Sequence, residues 1–428
     1  MSSQRSRSWP RFWDEPFTST DPLRAQAAIR KAKARRPEML AAIAAASPAR
    51  AKRLLRRYTF SGSARLASLA IVADRRLPTR ERRDAAPAMV ELAAEANPWR
   101  PAQGRTIAVP KDRPGKDPRY VFVKGFIDAA RDRLAHDAAA ALSQPEPEEF
   151  ARTGGRPALE AWLTRELPRT ELVITTDIPS AFDNVLREAV DVDLPLPRRI
   201  KEEVLYRPMD GARFLMKGPS GSLIQAPRRA VAKVSSPKRG IPQGTALAAV
   251  TSELVIRQIR RGVEAVCENV RFANYNDNLI ILLGDRADEE RVKSALATEV
   301  EKRFGSDVTR GLTSRTEVHR PSQPFYFCGR QYSWRRGKLR TNLDPDRVGR
   351  AAGRRLIDVS EALRGKDRVR LEKLDRSLMG LLRETIRFKG AADEIIQVMA
   401  LYRSSTFWNE RQASRSDGDP PLIEALDP

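Results

Sequence analysis

Over the first hundred positions the apolar residues recur at helical spacing. Leu54, Leu55 and Tyr58 form one group and Leu66, Leu69 and Ile71 another, in a background of Ala, Leu and Arg. From about residue 105 the texture changes. Thr106-Ile-Ala-Val and Tyr120-Val-Phe-Val read as short strands around a Pro/Gly turn, 111–119, that carries four cations, a pattern that predicts a β-hairpin with a basic tip. A helix is expected over 126–142, then a connector containing Pro145, Pro147, Gly154 and Gly155. Leu172-Val-Ile-Thr-Thr is a further strand, ending at Asp177, with a helix from about Asn184. A long helix is predicted over 246–269, strands over 270–273 and 279–283 around Asn276 and Asp277, and a helix over 288–304. Short strands follow at 326–328 and 331–334. The last part, from about residue 340, reads as helical and basic. Its clearest face carries Leu371, Leu374, Leu378 and Leu381 among arginines and lysines. The order divides the 428 residues into a basic helical segment (1–98), a mixed α/β core (99–335) and a basic helical C-terminal region (336–428).

Composition narrows the chemistry. With 41% hydrophobic and 31% charged residues the chain is expected to fold rather than remain disordered. Two cysteines, Cys267 and Cys328, and two histidines, His136 and His319, exclude a disulfide-stapled scaffold and a Cys/His zinc cluster. No apolar run reaches the roughly 18 residues that a membrane span needs, and MSSQRSRSWPRFW has no apolar signal core, so a cytoplasmic protein is expected. The 78 Lys and Arg against 55 Asp and Glu give a net charge of +23, which points to a polyanionic partner, nucleic acid first. The basic clusters at 30–36 and 50–57 suit either phosphate contact or a solvated helix face.

Two acids stand apart from the general charge. Asp177 ends an apolar strand, and Asp277 sits in the predicted hairpin turn Tyr275-Asn-Asp-Asn278. A carboxylate at the tip of a buried strand loses hydration, which raises its pKa, and a divalent cation shared by two such groups offsets that cost. Two ions about 3.5–4 Å apart can activate an attacking 3′-hydroxyl and stabilise a leaving pyrophosphate. Each Asp alone is an ordinary turn or cap residue.

In combination these segments resemble the reverse transcriptase family, in wording closest to the bacterial retron, group II intron and phage-defence types. Asp177-Ile-Pro-Ser-Ala-Phe-Asp183 is similar to the first palm motif, and Lys238-Arg-Gly-Ile-Pro-Gln-Gly-Thr-Ala-Leu247 to the second. Tyr275-Asn-Asp-Asn278 stands where that family has Tyr-x-Asp-Asp. Gly311 to Glu317 resembles the stretch that carries a Lys-Thr pair, and Phe327-Cys-Gly329 the primer-grip Phe-Leu-Gly. The resemblance covers roughly residues 105–335. Neither a ribonuclease H-like region nor a Cys/His endonuclease is apparent.

The resemblance implies an α/β right-hand polymerase: fingers, a palm with an antiparallel sheet, a helical thumb and a helical N-terminal extension. It implies RNA-directed DNA synthesis with two Mg²⁺ or Mn²⁺ ions, dNTPs, an RNA template and a DNA or RNA primer. A co-encoded structured RNA, a protein partner or an oligomer would be compatible with it. Asp177 and Asp277, with the Ile178 carbonyl, would hold the ions, and Asn278 completes the catalytic set. Phe182 would lie under the sugar and disfavour a 2′-hydroxyl. Gln243 and Gly244 would border the templating pair. Lys111, Arg119 and Arg315 would neutralise the triphosphate. Arg239 and Tyr275, with Arg376 and Arg383 of the thumb, would contact nucleic acid. Asn278 is the main departure, because it keeps an oxygen acceptor but loses a charge. It leaves two alternatives: a polymerase-fold protein that binds nucleic acid with weak or no turnover, and an RNA-dependent RNA polymerase, against which Phe182 argues.

Overall fold

The computed structural model describes residues 21–109, 119–209, 215–217, 223–225, 238–343 and 345–365, with 374 and 377. The fold is mixed α/β. The chain divides into two compact units, Met1–Trp162 with Ile174–Val318, and Leu163–Val173 with His319–Pro428. Among the described residues no helix is long and apolar enough to cross a membrane.

The first unit begins with helices α1 (Pro22–Ala44), α2 (Pro48–Phe60), α3 (Gly62–Arg76), α4 (Thr79–Asp84) and α5 (Ala86–Leu92). Asp21 caps α1 by accepting from the Leu23 amide at 2.9 Å, and Ser61 caps α3 through the Ala64 amide at 3.3 Å. Helix α3 buries Ala64, Leu66, Ala67, Leu69 and Ala70 among α1, α2 and α6 (Phe126–Leu142), whose Ala129, Ala130, Ala135, Ala138 and Ala139 are also buried. Small side chains on both helices allow the close approach.

The hairpin expected before α6 is present. β1 (Arg105–Val109) pairs antiparallel with β2 (Arg119–Val123), while the turn 110–118 lies outside the described residues. β1 also pairs in parallel with β4 (Leu215–Lys217), and β5 (Leu223–Gln225) closes a sheet ordered β2-β1-β4-β5. Strands of three residues carry no periodic signal, so β4 and β5 escape sequence reading. Helix α7 (Gly155–Glu166) precedes β3 (Leu172–Asp177).

The central sheet is ordered β6-β7-β3-β8, from β6 (Val270–Tyr275), β7 (Asn278–Leu283) and β8 (Glu317–His319) around β3. β3, β6 and β7 bury nearly every position. The single helix expected from about Asn184 is instead two, α8 (Ala181–Asn184) and α9 (Arg187–Asp193). The break has a cause: the Val185 carbonyl accepts from Gly240, and the Leu186 amide donates to the Arg303 carbonyl at 2.8 Å, so both residues bond to neighbouring segments.

Helix α10 (Ala246–Glu264) is shorter than the expected 246–269, and α11 (Glu289–Phe304) matches its prediction closely. Thr245 caps α10 through the Ala248 amide at 3.0 Å. Its first turn is also held by Asp132 of α6, whose carboxylate accepts from the amides of Ala246 (2.9 Å) and Leu247 (3.1 Å) and from Lys124 Nζ (2.6 Å). Helix α12 (Ser306–Thr313) follows α11.

In the second unit, β9 (Phe325–Phe327), β10 (Arg330–Arg335) and β11 (Lys338–Leu343) form an antiparallel meander. Cys328 and Gly329, then Arg336 and Gly337, have positive φ in its two-residue turns, as tight hairpins require. β11 corrects the expectation that the chain is helical from about residue 340. Lys338-Leu-Arg-Thr-Asn-Leu343 alternates exposed and half-buried positions after an Arg-Gly turn. Helix α13 (Pro345–Arg364) follows. The Leu371, Leu378 and Leu381 positions of the expected thumb face lie outside the described residues, as do Arg376 and Arg383.

Asp132 is 4% exposed, and its replacement by Ala leaves two helix amides and a buried ammonium unpaired. We expect Asp132→Ala to cost about 3–5 kcal/mol, read as a lower urea midpoint at unchanged slope.

Candidate active site

The two acids singled out above are brought together by a backbone hydrogen bond. The Ile178 amide, next to Asp177, donates to the Asp277 carbonyl at 3.1 Å. It joins the end of β3 to the turn before β7, two segments a hundred residues apart in sequence. Asp277 is the second residue of a two-residue loop, because Tyr275 pairs with Asn278 across the hairpin. Asn276 takes φ 53°, a left-handed conformation that Asn tolerates. The Asp177 side chain is 42% exposed, so the expectation of a dehydrated carboxylate at the strand tip is not met.

Asn278 donates from Nδ2 to Asp277 Oδ1 at 3.2 Å. A neutral amide beside Asp277 therefore orients its carboxylate, where a second acid would repel it. Arg315, in the turn after α12, makes an ion pair with Asp177. Its neighbour Thr316 bonds Thr176 of β3 at 3.2 Å and the Leu312 carbonyl at 2.9 Å, which fixes the turn against the strand. Gly311 faces Pro179, where a Cβ would stand 3.1 Å from the proline ring.

The 238–244 loop runs beside 182–187. The Arg187 amide bonds the Lys238 carbonyl (2.9 Å), the Gly240 amide bonds Val185 (2.9 Å) and the Ile241 amide bonds the Phe182 carbonyl (2.8 Å). The Gln243 carbonyl accepts from the Phe122 amide of β2 at 3.2 Å, and its side chain donates to Asp183 at 3.2 Å. Phe182 and Gln243 are thus joined through one short network, both half-buried. Gly244 has φ 79° beside Val121. Arg239 donates to both carboxylate oxygens of Asp307, at 3.0 and 2.9 Å, and holds that acid's pKa below the usual range. Arg239 is therefore engaged by an exposed carboxylate that a phosphate could replace.

Of the other residues read from the sequence, Tyr275 is half-buried at the end of β6. Arg119 opens β2. Lys111 lies outside the described residues. Asp193 of α9 has a side chain only 8% exposed, and burial pushes its carboxyl up to about 6.

Sequence reading missed what supports the Asp277 turn from below. Asn274 of β6 and Glu253 of α10 are 0% and 1% exposed, and Asn274 Nδ2 donates to Glu253 Oε2 at 2.6 Å. Beside them Glu149, fully buried, accepts from Arg257 at 2.5 Å and Arg152 at 3.3 Å. The signal in the sequence was the charged residues Glu253, Arg257 and Arg260, which occupy buried positions of α10.

No protein-family model matches the chain, and no curated protein matches it in a sequence search.

The Gly240 conformation is a local test of this frame. It has φ 82°, and a Cβ there would stand 3.1 Å from the Asp183 carbonyl oxygen, whereas Gly337 at φ 70° has open space. Gly337→Ala is expected to cost about 1–2 kcal/mol from the left-handed backbone alone. Gly240→Ala should cost measurably more in the same chemical-denaturation assay.

Proposed function

We propose that this chain is a template-directed nucleotidyltransferase of the right-hand polymerase type, and that it makes DNA on an RNA template. The observation that carries the reading is the 3.1 Å bond from the Ile178 amide to the Asp277 carbonyl, which sets two acids side by side at the exposed end of the central sheet. Their hard carboxylate oxygens suit Mg²⁺ or Mn²⁺. Among the described residues no three His, Cys, Asp or Glu groups cluster to hold a metal alone, so the remaining ligands would be the Ile178 carbonyl, water and substrate phosphates, as Mg²⁺ sites commonly have. Two such ions, when bound, would supply charge neutralisation at the entering and leaving oxygens.

The chain's own residues supply position and charge. Asp177 and Asp277 would hold the ions, with Asn278 orienting Asp277. Arg315 would exchange its carboxylate partner for triphosphate oxygens, stabilising charge rather than donating a proton, because guanidinium does not deprotonate. Phe182 would close the site to a 2′-hydroxyl, and the Gln243–Gly244 loop would lie along the templating pair. Arg239 would trade Asp307 for a backbone phosphate. With a net charge of +23, the grip on template and primer would weaken steeply with salt.

A second reading has its own observation. Arg315 neutralises Asp177 and Asn278 removes a charge beside Asp277, a combination that suits a polymerase fold kept as a nucleic-acid grip.

Primer extension on poly(rA)/oligo(dT) with dNTPs and Mg²⁺ or Mn²⁺ separates the two. We expect incorporation that falls to background in Asp277→Ala. No incorporation on any template, with RNA binding retained, would establish the grip instead. Phe182→Ala should raise ribonucleotide use by about tenfold; a wild-type preference for ribonucleotides would refute DNA synthesis. Asn278→Asp restores a charge next to Asp277 and should lower the Mg²⁺ concentration for half-maximal extension.

A further inference from the structure

The buried pair beneath the Asp277 turn has a mismatch in its hydrogen bonding. Asn274 Nδ2 donates to Glu253 Oε2 at 2.6 Å, yet Glu253 Oε1 and Asn274 Oδ1 are both buried with no partner among the described residues. Two orphaned acceptors on one amide–carboxyl pair are costly, and a single proton satisfies both. The backbone of Asn274 is already committed, since its amide bonds the Glu148 carbonyl and its carbonyl bonds the Phe150 amide, each at 3.0 Å.

We propose that Glu253 and Asn274 form a closed acid–amide ring, with the Glu253 acid proton between Oε1 and Oδ1, and that this ring is the positioning element for the turn that carries Asp277. The ring grips both backbone polar groups of Asn276, the residue before Asp277. Asn274 Nδ2 also donates to the Asn276 carbonyl at 3.3 Å, and the Asn276 backbone amide bonds the Glu253 carboxyl.

The surroundings favour the neutral acid. Glu149 and Arg152 face Glu253 from the 146–153 segment, and Arg257 lies one turn along α10. Each oxygen of Glu149 takes one arginine, Oε1 from Arg257 and Oε2 from Arg152, so both guanidinium groups spend a hydrogen bond on Glu149 and Arg152 reaches Glu253 through its charge. Burial, reinforced by the Glu149 charge, pushes Glu253 up to about 7, against hydrogen bonds from Asn274 and Asn276 and the charge of Arg152. The raised value belongs to the folded state. The stabilisation is therefore complete below 4.5 and is lost as pH rises through about 7.

The proposal deepens the polymerase reading, and its test separates the two. Glu253→Gln reproduces the ring without a titrating proton, because its amide donates to Asn274 Oδ1 and its oxygen accepts from Nδ2. Glu253→Ala removes the ring. Thermal melting of the full chain between pH 5 and pH 9 is the first readout. We expect the wild-type melting temperature to fall relative to that of Glu253→Gln as pH rises through about 7, with Glu253→Ala below both at pH 5. Parallel curves for wild type and Glu253→Gln, or a Gln variant as unstable as Ala, would overturn the ring.

Primer extension is the second readout. Glu253→Gln should keep wild-type rates at pH 6 and lose less rate toward pH 9, whereas Glu253→Ala should fall by on the order of a hundredfold from misplacement of Asp277. An Ala variant that extends at the wild-type rate would overturn the positioning role. A wild type that extends no primer would sink the polymerase reading, while the melting curves would still decide the ring.

Discussion

Two like-charged side chains will not stand together unless something other than themselves holds them. Here the holding is done by the main chain. The Ile178 amide spends its bond on the Asp277 carbonyl, so the spacing of the two acids is set by peptide groups whose geometry does not depend on side-chain charge. The sheet order follows from the same constraint. β7 must lie beside β3, with the turn before β7 level with the end of β3, for that bond to form. Asn278 and Arg315 then lower the repulsion, one by donating a hydrogen bond to Asp277 and the other by pairing with Asp177.

The loop of residues 238–244 depends on the same logic at one remove. It has little regular structure, yet its backbone groups are bonded to 182–187 and to β2 in turn. Gly240 and Gly244 occupy left-handed conformations where a side chain would meet the Asp183 carbonyl or Val121. Helix α10 follows at once, and its N-terminus is fixed by Asp132 from α6. Polar contacts thus join α6 to α10 through Asp132, and α10 to the turn that holds Asp277 through Glu253 and Asn274. Such networks are costly when incomplete and confer a unique arrangement when complete.

Several elements were legible in the residue order because they carry a strong local period. Helix α6 was read with the bounds it has, and the hairpins β1–β2 and β6–β7 and helix α11 lie close to their predicted ranges. Others were not. β4 and β5 are three residues long, β11 hides its alternation among cations, and the break between α8 and α9 comes from bonds to residues 240 and 303 that no local window contains. The site divides in the same way. Asp177, Asp277, Phe182 and Gln243 stood out as motif residues, whereas Glu253, Asn274 and Asp132 belong to no motif and are defined by their buried partners.

By itself, then, the sequence determined the period of its elements, the excess of positive charge and the identity of two isolated acids at strand ends. Those properties are local: a strand, a helix face or a charge count is fixed by neighbours within a few residues. Tertiary structure alone decided that the residue after Asp177 bonds the Asp277 carbonyl, that Arg315 comes to Asp177 from 138 positions away, and that Glu253 is buried under a turn. Burial and long-range hydrogen bonding change what a polar side chain does, and neither exists until the chain has closed on itself.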